Sequence, residues 1–277
     1  MLGRLRIGFI PIAGAEEPDA PVLELAAEIG RAVRVPADCH RAADYRSLVA
    51  ALVGGAVHIA WVPPLVAARS VLEKRIVPVA LAVRDGATSY SAALITRRSS
   101  PIRTPADLVD LRAAWVDRES ASGYTVIRMA LRALGVRLVE AFTTEVFARS
   151  HAEVARLVVS GKVDVGATYV NYLPDRSAIV RGGWSRVAGV SADDIRIVTE
   201  SGLIPCDFIA VHPSLPPTLL ESFTTALVDG RHARRVNEHA KKLLRADGFV
   251  RPTPSHFSIF SIPASVSVTL RVFASTT

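Results

Sequence analysis

Cysteine, lysine and aromatic residues are scarce in this 277-residue chain, and each scarcity closes off a class of protein. Two cysteines, Cys39 and Cys206, are too few for a disulfide scaffold or a cysteine-rich zinc module; two buried thiols or a single bridge both fit them. Aromatic side chains make up 6%, and the cations are scattered apart from one run between Arg231 and Arg245. The basic stripe interleaved with aromatics that reads nucleic acid is therefore missing. Of 33 basic residues only Lys74, Lys162, Lys241 and Lys242 are lysines, and the formal charge of +7 points to an anionic ligand rather than to nucleic acid. There is no Gly-x-Ser-x-Gly elbow, no phosphate loop of the Gly-x-x-x-x-Gly-Lys type and no His-Glu-x-x-His zinc helix. The seven histidines are too dispersed to suggest a metal site, so no catalytic residue, metal or cofactor is expected.

Long apolar runs are also lacking. Residues 1–6 lead straight into an apolar first strand, with no signal-peptide core or small-residue cleavage site. The chain is expected to be cytoplasmic if complete as given and periplasmic if a leader has been removed. The uncharged window at residues 48–68 approaches membrane-span length, but Gly54, Gly55, His58, Pro63 and Pro64 divide it into a helix end, a short strand and a new helix start. No membrane span is expected.

What the chain has is core: 50% hydrophobic residues and 21% charged ones exclude intrinsic disorder. Val- and Ile-rich runs bounded by turn residues predict strands at 5–10, 32–35, 59–62, 77–83, 92–96, 113–116, 163–167 and 195–199. Helices are expected between them: one capped by Asp44 with Gly54 as its left-handed stop, one from Tyr124 to Gly135, and one following His151 and stopping at Gly161. Alternation of this kind predicts an α/β fold with a mostly parallel sheet. Residues 216–244 read as one or two helices, the second carrying Arg231, His232, Arg234, Arg235, His239, Lys241 and Lys242 as a solvated face or a docking surface for an acidic partner. Residues 255–277 alternate Ser with apolar residues and read as an edge strand or a loose tail.

One segment carries chemistry. After a strand ending near Asp117, the run Ser120-Ala121-Ser122-Gly123-Tyr124-Thr125 opens a helix near Tyr124. A helix start presents free backbone N–H groups and the positive end of the dipole. Ser120, Ser122 and Thr125 add hydroxyls, and Gly123 permits close approach. Such a turn holds a tetrahedral oxyanion without a cation; it also fits an ordinary serine cap.

In this context the chain resembles the phosphate/phosphite/phosphonate-binding proteins of ABC transporters, a branch of the type II periplasmic binding proteins. The resembling stretches are Asp44-Tyr45 with residues 55–61, residues 89–92, Asp107-Leu108 followed by residues 120–124, Ser150-His151 with residues 161–167, and Glu200-Ser201 with residues 204–207. The resemblance implies two Rossmann-like lobes joined by two hinge strands, residues 1–92 plus 203–277 and residues 93–202, clamping a small oxyanion. It implies that Ser120, Ala121 and Ser122 line the anion-binding turn, within a ligand set that includes Gly123, Tyr124 and Thr125, and that Tyr45, Tyr90, His151 and Asp207 complete the shell. Asp207 would select a ligand that keeps a P–OH proton or carries an ammonium group, because a fully ionised anion leaves the carboxylate unpaired. Thr168-Tyr169-Val170-Asn171-Tyr172 stands where aminoalkylphosphonate binders carry an acidic residue, and Ala121 replaces a common Thr. The expected partners are the oxyanion and an ABC permease or a signalling protein. The alternatives are an enzyme on the same scaffold acting on a thiamine-pyrimidine or menaquinone precursor, and the sensing part of a transcription regulator.

Overall fold

The computed structural model describes residues 3–10, 20–118, 120–173, 175–185, 187–229 and 234–261. Two compact units emerge, one holding the described residues up to Thr88 and from Pro205 to Ser261, the other Ser89–Ile204.

The chain begins with β1 (Leu5–Phe9), α1 (Ala20–Val33), β2 (Ala37–Arg41), α2 (Tyr45–Val53), β3 (Ile59–Val62), α3 (Pro64–Leu72) and β4 (Val77–Val83). The strand expected at residues 32–35 is instead the end of α1. Buried Val22, Leu25, Ala26, Ile29 and Val33 follow helical spacing, Arg34 turns left-handed at φ 56°, and β2 starts only after Pro36. Asp44 caps α2 as expected, its side chain accepting from the Ser47 N–H, but the left-handed residue is Gly55 (φ 73°) rather than Gly54 (φ −81°). The 48–68 window divides into α2, β3 and α3, and no helix among the described residues is long and apolar enough to cross a membrane.

The second unit contains β5 (Ser89–Arg97), β6 (Leu111–Trp115), a π-helical turn at Ala121–Thr125 running into α4 (Val126–Ala133), a single helical turn α5 (Leu138–Ala141), β7 (Phe142–Phe147), α6 (His151–Val159), β8 (Val165–Tyr172), β9 (Ile179–Gly182) and β10 (Ile195–Pro205). Its sheet runs β10-β5-β8-β6-β7, with β9 on β8. β6 lies parallel to β7 and β8, whereas β5 and β9 run antiparallel to β8. Its core is almost wholly apolar, with Ile95, Ala114, Val154, Ala155 and Val158 fully buried.

The chain then returns for β11 (Phe208–Val211), α7 (Pro217–Val228), α8 (Arg234–Leu244), β12 (Gly248–Val250) and a 3₁₀ segment Pro254–Ser261. β11 inserts between β3 and β4, antiparallel to both, in the order β12-β4-β11-β3-β1-β2. The expectation of a mostly parallel sheet is thus corrected: both sheets are mixed, and the returning segment supplies most of the antiparallel pairing in the first. Arg231 and His232 of the basic run lie outside the described residues, as does the tail beyond Ser261. Neither Cys39 nor Cys206 takes part in a disulfide.

Candidate functional site

In the second unit the candidate residues gather where β6 and β8 end and β5 begins. The π-helical turn packs against both β5 and β8. Ser120 caps it: Oγ accepts from the Gly123 N–H at 3.0 Å, and its carbonyl accepts from the Thr125 N–H at 3.0 Å. Gly123 is required here, because a Cβ would stand 2.6 Å from Val116 Cβ and 2.7 Å from Ser120 Oγ. The close approach it permits is therefore to β6 and the cap. As the first residues of the turn, Ala121 and Ser122 have no intrahelical acceptor for their N–H groups. Ser122 is only 3% exposed, yet its hydroxyl makes no hydrogen bond among the described residues. The Thr125 hydroxyl turns back toward the Arg118 carbonyl at 3.5 Å.

His151 opens α6 behind the Ser150 cap, and its Nδ1 lies 3.1 Å from Thr168 Oγ1 on β8. Burial pushes the imidazole down to about 4, against a smaller upward pull from Asp117, so the ring is neutral at ordinary pH. When the Thr168 hydroxyl donates to Nδ1, the remaining proton sits on Nε2, which becomes a neutral donor. Tyr169 meets the His151 ring edge-on at 5.0 Å and Tyr90 at 6.4 Å, forming one row of rings across β5, β8 and α6. Tyr124 departs from this group. Its ring packs against Trp115 at 5.7 Å and Phe147 at 5.5 Å under the Arg128 guanidinium, which also pairs with Glu145. That cluster anchors the turn to β6 and β7.

The first unit brings Tyr45 and Asp207 together, with two residues that sequence reasoning did not place in the site. Tyr45, the first residue of α2, meets Trp61 of β3 edge-on at 6.4 Å. Burial pushes its phenol up, and the Asp207 charge adds to this. Arg84, just beyond β4, donates to Asp207 Oδ2 at 3.0 Å and to the Leu244 carbonyl at 2.9 Å. The expectation that a fully ionised anion leaves Asp207 unpaired is corrected by this ion pair. Burial still raises the carboxyl more than Arg84 and Trp61 lower it. Desolvation pulls Arg84 down, but the Asp207 charge and smaller contributions from Cys206 leave it above its ordinary value. Trp61 Nε1 faces the same carboxylate without completing a hydrogen bond and is a buried donor with no partner. Asp207 Oδ1 accepts no hydrogen bond among the described residues. The neighbouring Cys206 thiol is pushed by burial up to about 11. Trp61, Thr168 and Tyr169 carried a faint sequence signal, since they stand in or beside the resembling stretches. Arg84, one arginine among many, carried none.

No cluster of three or more His, Cys, Asp or Glu side chains suited to a metal occurs among the described residues. The two half-sets thus supply hydrogen-bond donors on one unit and a paired carboxylate with aromatic rings on the other.

Comparison with known proteins adds the family. The profile described as "ABC transporter, phosphonate, periplasmic substrate-binding protein" matches residues 7–257. Among solved structures, the Xanthomonas citri protein XAC2383 bound to chloride ion superposes with a TM-score of 0.70 at 19% identity, over 94% of this chain and 96% of that one. A binding-protein component of an ABC phosphonate transporter from Pseudomonas aeruginosa gives 0.59 at 18% identity, over 93% and 84%. PhnD1 from Prochlorococcus marinus, in complex with methylphosphonate, gives 0.60 at 14% identity, over 94% and 96%. At such identities the likeness concerns the fold, a mixed α/β architecture with two sheets of the type II periplasmic-binding-protein class.

Proposed function

Because this chain belongs to the periplasmic substrate-binding proteins of ABC phosphonate transporters, we propose that it holds a small phosphorus oxyanion, a phosphonate, phosphite or phosphate, through N–H and O–H donors of the turn at residues 120–125. Proteins of this family are transporter components rather than enzymes; they take a small ligand and work with an ABC permease. The enzyme alternative falls with that membership. In this reading the lobes are residues 1–92 plus 203–277 and residues 93–202. Ser120, Ala121, Ser122 and Gly123 form the anion turn, His151 donates from Nε2, and Tyr45 and Tyr90 add neutral hydroxyls. Tyr124 and Thr125 act from behind, by fixing the turn.

The observation that carries the reading is Ser122: a residue only 3% exposed whose hydroxyl makes no hydrogen bond among the described residues and is not closed to solvent, at a helix start whose first amides also lack intrahelical acceptors. An oxyanion supplies acceptors to both. Asp207 Oδ1 is the complementary feature, accepting a proton from a ligand P–OH while Arg84 holds Oδ2.

Titration calorimetry with phosphate, phosphite, methylphosphonate and sulfate tests this. Ser122→Ala is expected to weaken the preferred phosphorus anion by about 1–2 kcal/mol, the scale of one charge-assisted hydrogen bond. Equal affinity in the parent and the variant removes the turn from the site. Asp207→Asn is expected to narrow the preference for a protonated phosphorus anion over sulfate; an unaltered ligand ranking removes that role from Asp207.

A further inference from the structure

One helical layer of the first unit concentrates positive charge. Helices α1 and α8, with Arg34 and Arg245 just beyond their ends, carry seven Lys or Arg against three carboxylates. That excess of four is more than half of the chain's formal +7. The two helices pack side by side. Glu28 of α1 lies 3.6 Å from Arg235 of α8, and Glu24, one turn earlier, lies 3.5 Å from His239, one turn later, so the helices run antiparallel. Val22, Leu25 and Ile29 of α1 and Val236, Ala240 and Leu244 of α8 are buried, and the polar faces of both helices turn outward.

The carboxylates of this layer are already engaged: Glu28 with Arg31 at 2.6 Å, Glu238 with Arg234 at 2.7 Å, and Glu24 beside His239. Arg34, Lys242 and Arg245 are exposed and Lys241 is half-buried, and none of the four forms an ion pair among the described residues. Three of them, Lys241, Lys242 and Arg245, gather within about one helical turn at the end of α8. The face offers little to a protein partner, because a stable protein interface is built around a desolvated apolar core. Leu23 is the one large apolar side chain exposed among the described residues of these helices. A layer of lipid phosphates needs no such core: each basic side chain near an anionic membrane surface adds to binding without a fixed geometry.

Independently of the oxyanion reading, we propose that the α1–α8 face of the first unit docks onto an anionic phospholipid membrane. Lys241, Lys242 and Arg245 anchor one end of the layer to lipid phosphates, and Arg34 anchors the other. The family works with an ABC permease, which sits in a bilayer. Docking through this face holds the protein against that bilayer and requires no membrane-crossing helix of its own.

The test is cosedimentation of the full chain with vesicles of equal parts phosphatidylglycerol and phosphatidylcholine, against vesicles of phosphatidylcholine alone. At low salt the anionic vesicles are expected to be favoured by roughly 600-fold, about fivefold for each of the four unpaired cations. Most of that preference should vanish at about 0.5 M salt, where screening shortens the reach of each charge. The triple variant Lys241→Gln, Lys242→Gln, Arg245→Gln, verified by cooperative melting, is expected to bind the anionic vesicles about a hundredfold less. A second triple variant, Arg98→Gln, Arg103→Gln, Lys162→Gln, removes equal charge from exposed positions of the second unit and is expected to stay within about twofold of the parent. Equal losses in the two variants would mean that binding follows net charge alone, and would overturn the proposal. Equal partition of the parent protein onto both kinds of vesicle overturns it too. Release from the vesicles by polyglutamate, at a lower concentration of carboxylate than of lipid phosphate, would show that the face fits an acidic polypeptide instead and likewise overturns it. The oxyanion reading, tested by calorimetry, stands or falls separately.

Discussion

The two units share a construction, a mixed sheet flanked by helices, but differ in the groups they bring to the candidate site. The second assembles neutral donors: the Ser122 hydroxyl, the first amides of the turn, and a histidine that burial keeps uncharged. The first carries charge that is already compensated, the Arg84–Asp207 pair, beside aromatic rings and an apolar space. Neutral donors need no counter-charge when no ligand is bound. A compensated pair with one carboxylate oxygen open can question a ligand's protonation without strongly attracting or repelling it. In the proposed reading holding and selecting fall to different units, and variants in each should fail differently.

The largest separation between the units should come with acid. His151 is protonated near pH 6.5 when unfolded and only near 4 when folded, because burial opposes the charged ring. Between those values the unfolded chain binds more protons. The contribution of His151 to stability is therefore complete above about pH 6.5 and is lost progressively as pH falls toward 4, by about 3 kcal/mol in all. Denaturant unfolding from pH 4 to 7 should show that slope in the parent protein and lose it in His151→Gln. An identical slope in both would mean that the histidine is not desolvated.

Next comes the turn. Gly123→Ala drives a methyl group into Val116 and Ser120 Oγ, and overpacking of this kind costs roughly 2–3 kcal/mol. Hydrogen exchange should quicken among the amides of β6, α4 and β8 while those of the first unit keep their protection. A uniform acceleration through both units would show that they unfold as one, and the comparison would then lose its energetic basis.

The first unit is probed at Arg84. Removing it in Arg84→Ala strands the Asp207 carboxylate, and for side chains about a quarter exposed the loss is roughly 2 kcal/mol, below the full cost for a deeply buried pair. Burial already holds the Asp207 carboxyl above its ordinary value, and losing Arg84 raises it further. The folded state then binds the extra proton, so the variant should be least stable above that raised pKa and should recover as pH falls toward 4. That trend is opposite in sign to the one at His151. A pH-independent loss would show that Arg84 acts only through the Leu244 carbonyl.

How far these features were legible from sequence follows the range of the interactions. The run at residues 77–83 becomes β4 and that at 59–62 becomes β3, because a Val/Ile run between turn residues needs no distant partner to be read. Gly135 and Gly161 end their helices at φ 83° and 72°, again a local matter. β7 escaped detection because Thr143, Thr144, Glu145 and Val146 are exposed on an edge strand and show no alternation. β11 was missed because its place between β3 and β4 is set only when the chain returns from the second unit. The site divides along the same line. The hydroxyl-rich helix start was visible as local cap chemistry, but the missing partner of Ser122 depends on burial by β5 and β8. The Arg84–Asp207 bond spans 123 positions. Sequence also names a residue without aiming its side chain, and so Tyr124 joins Trp115 and Phe147 rather than the row at His151.

The smallest expected effect sharpens the account of the second unit by separating position from chemistry. Ser150 caps α6, its Oγ accepting from the Glu153 N–H at 3.1 Å, and His151 is the next residue. Ser150→Ala removes that acceptor at a cost of about 1 kcal/mol, typical of a lost N-cap. The Nδ1 contact of His151 is to Thr168 on β8, an independent anchor, so the ring should stay buried when the first turn of α6 loosens. The variant should therefore lose stability by the same amount at pH 4 and at pH 7, keep the acid slope, and bind the oxyanion with little change. If the acid slope vanishes together with the cap, the histidine is held by its helix rather than by β8. The neutral donor assigned to the second unit would then depend on α6 alone.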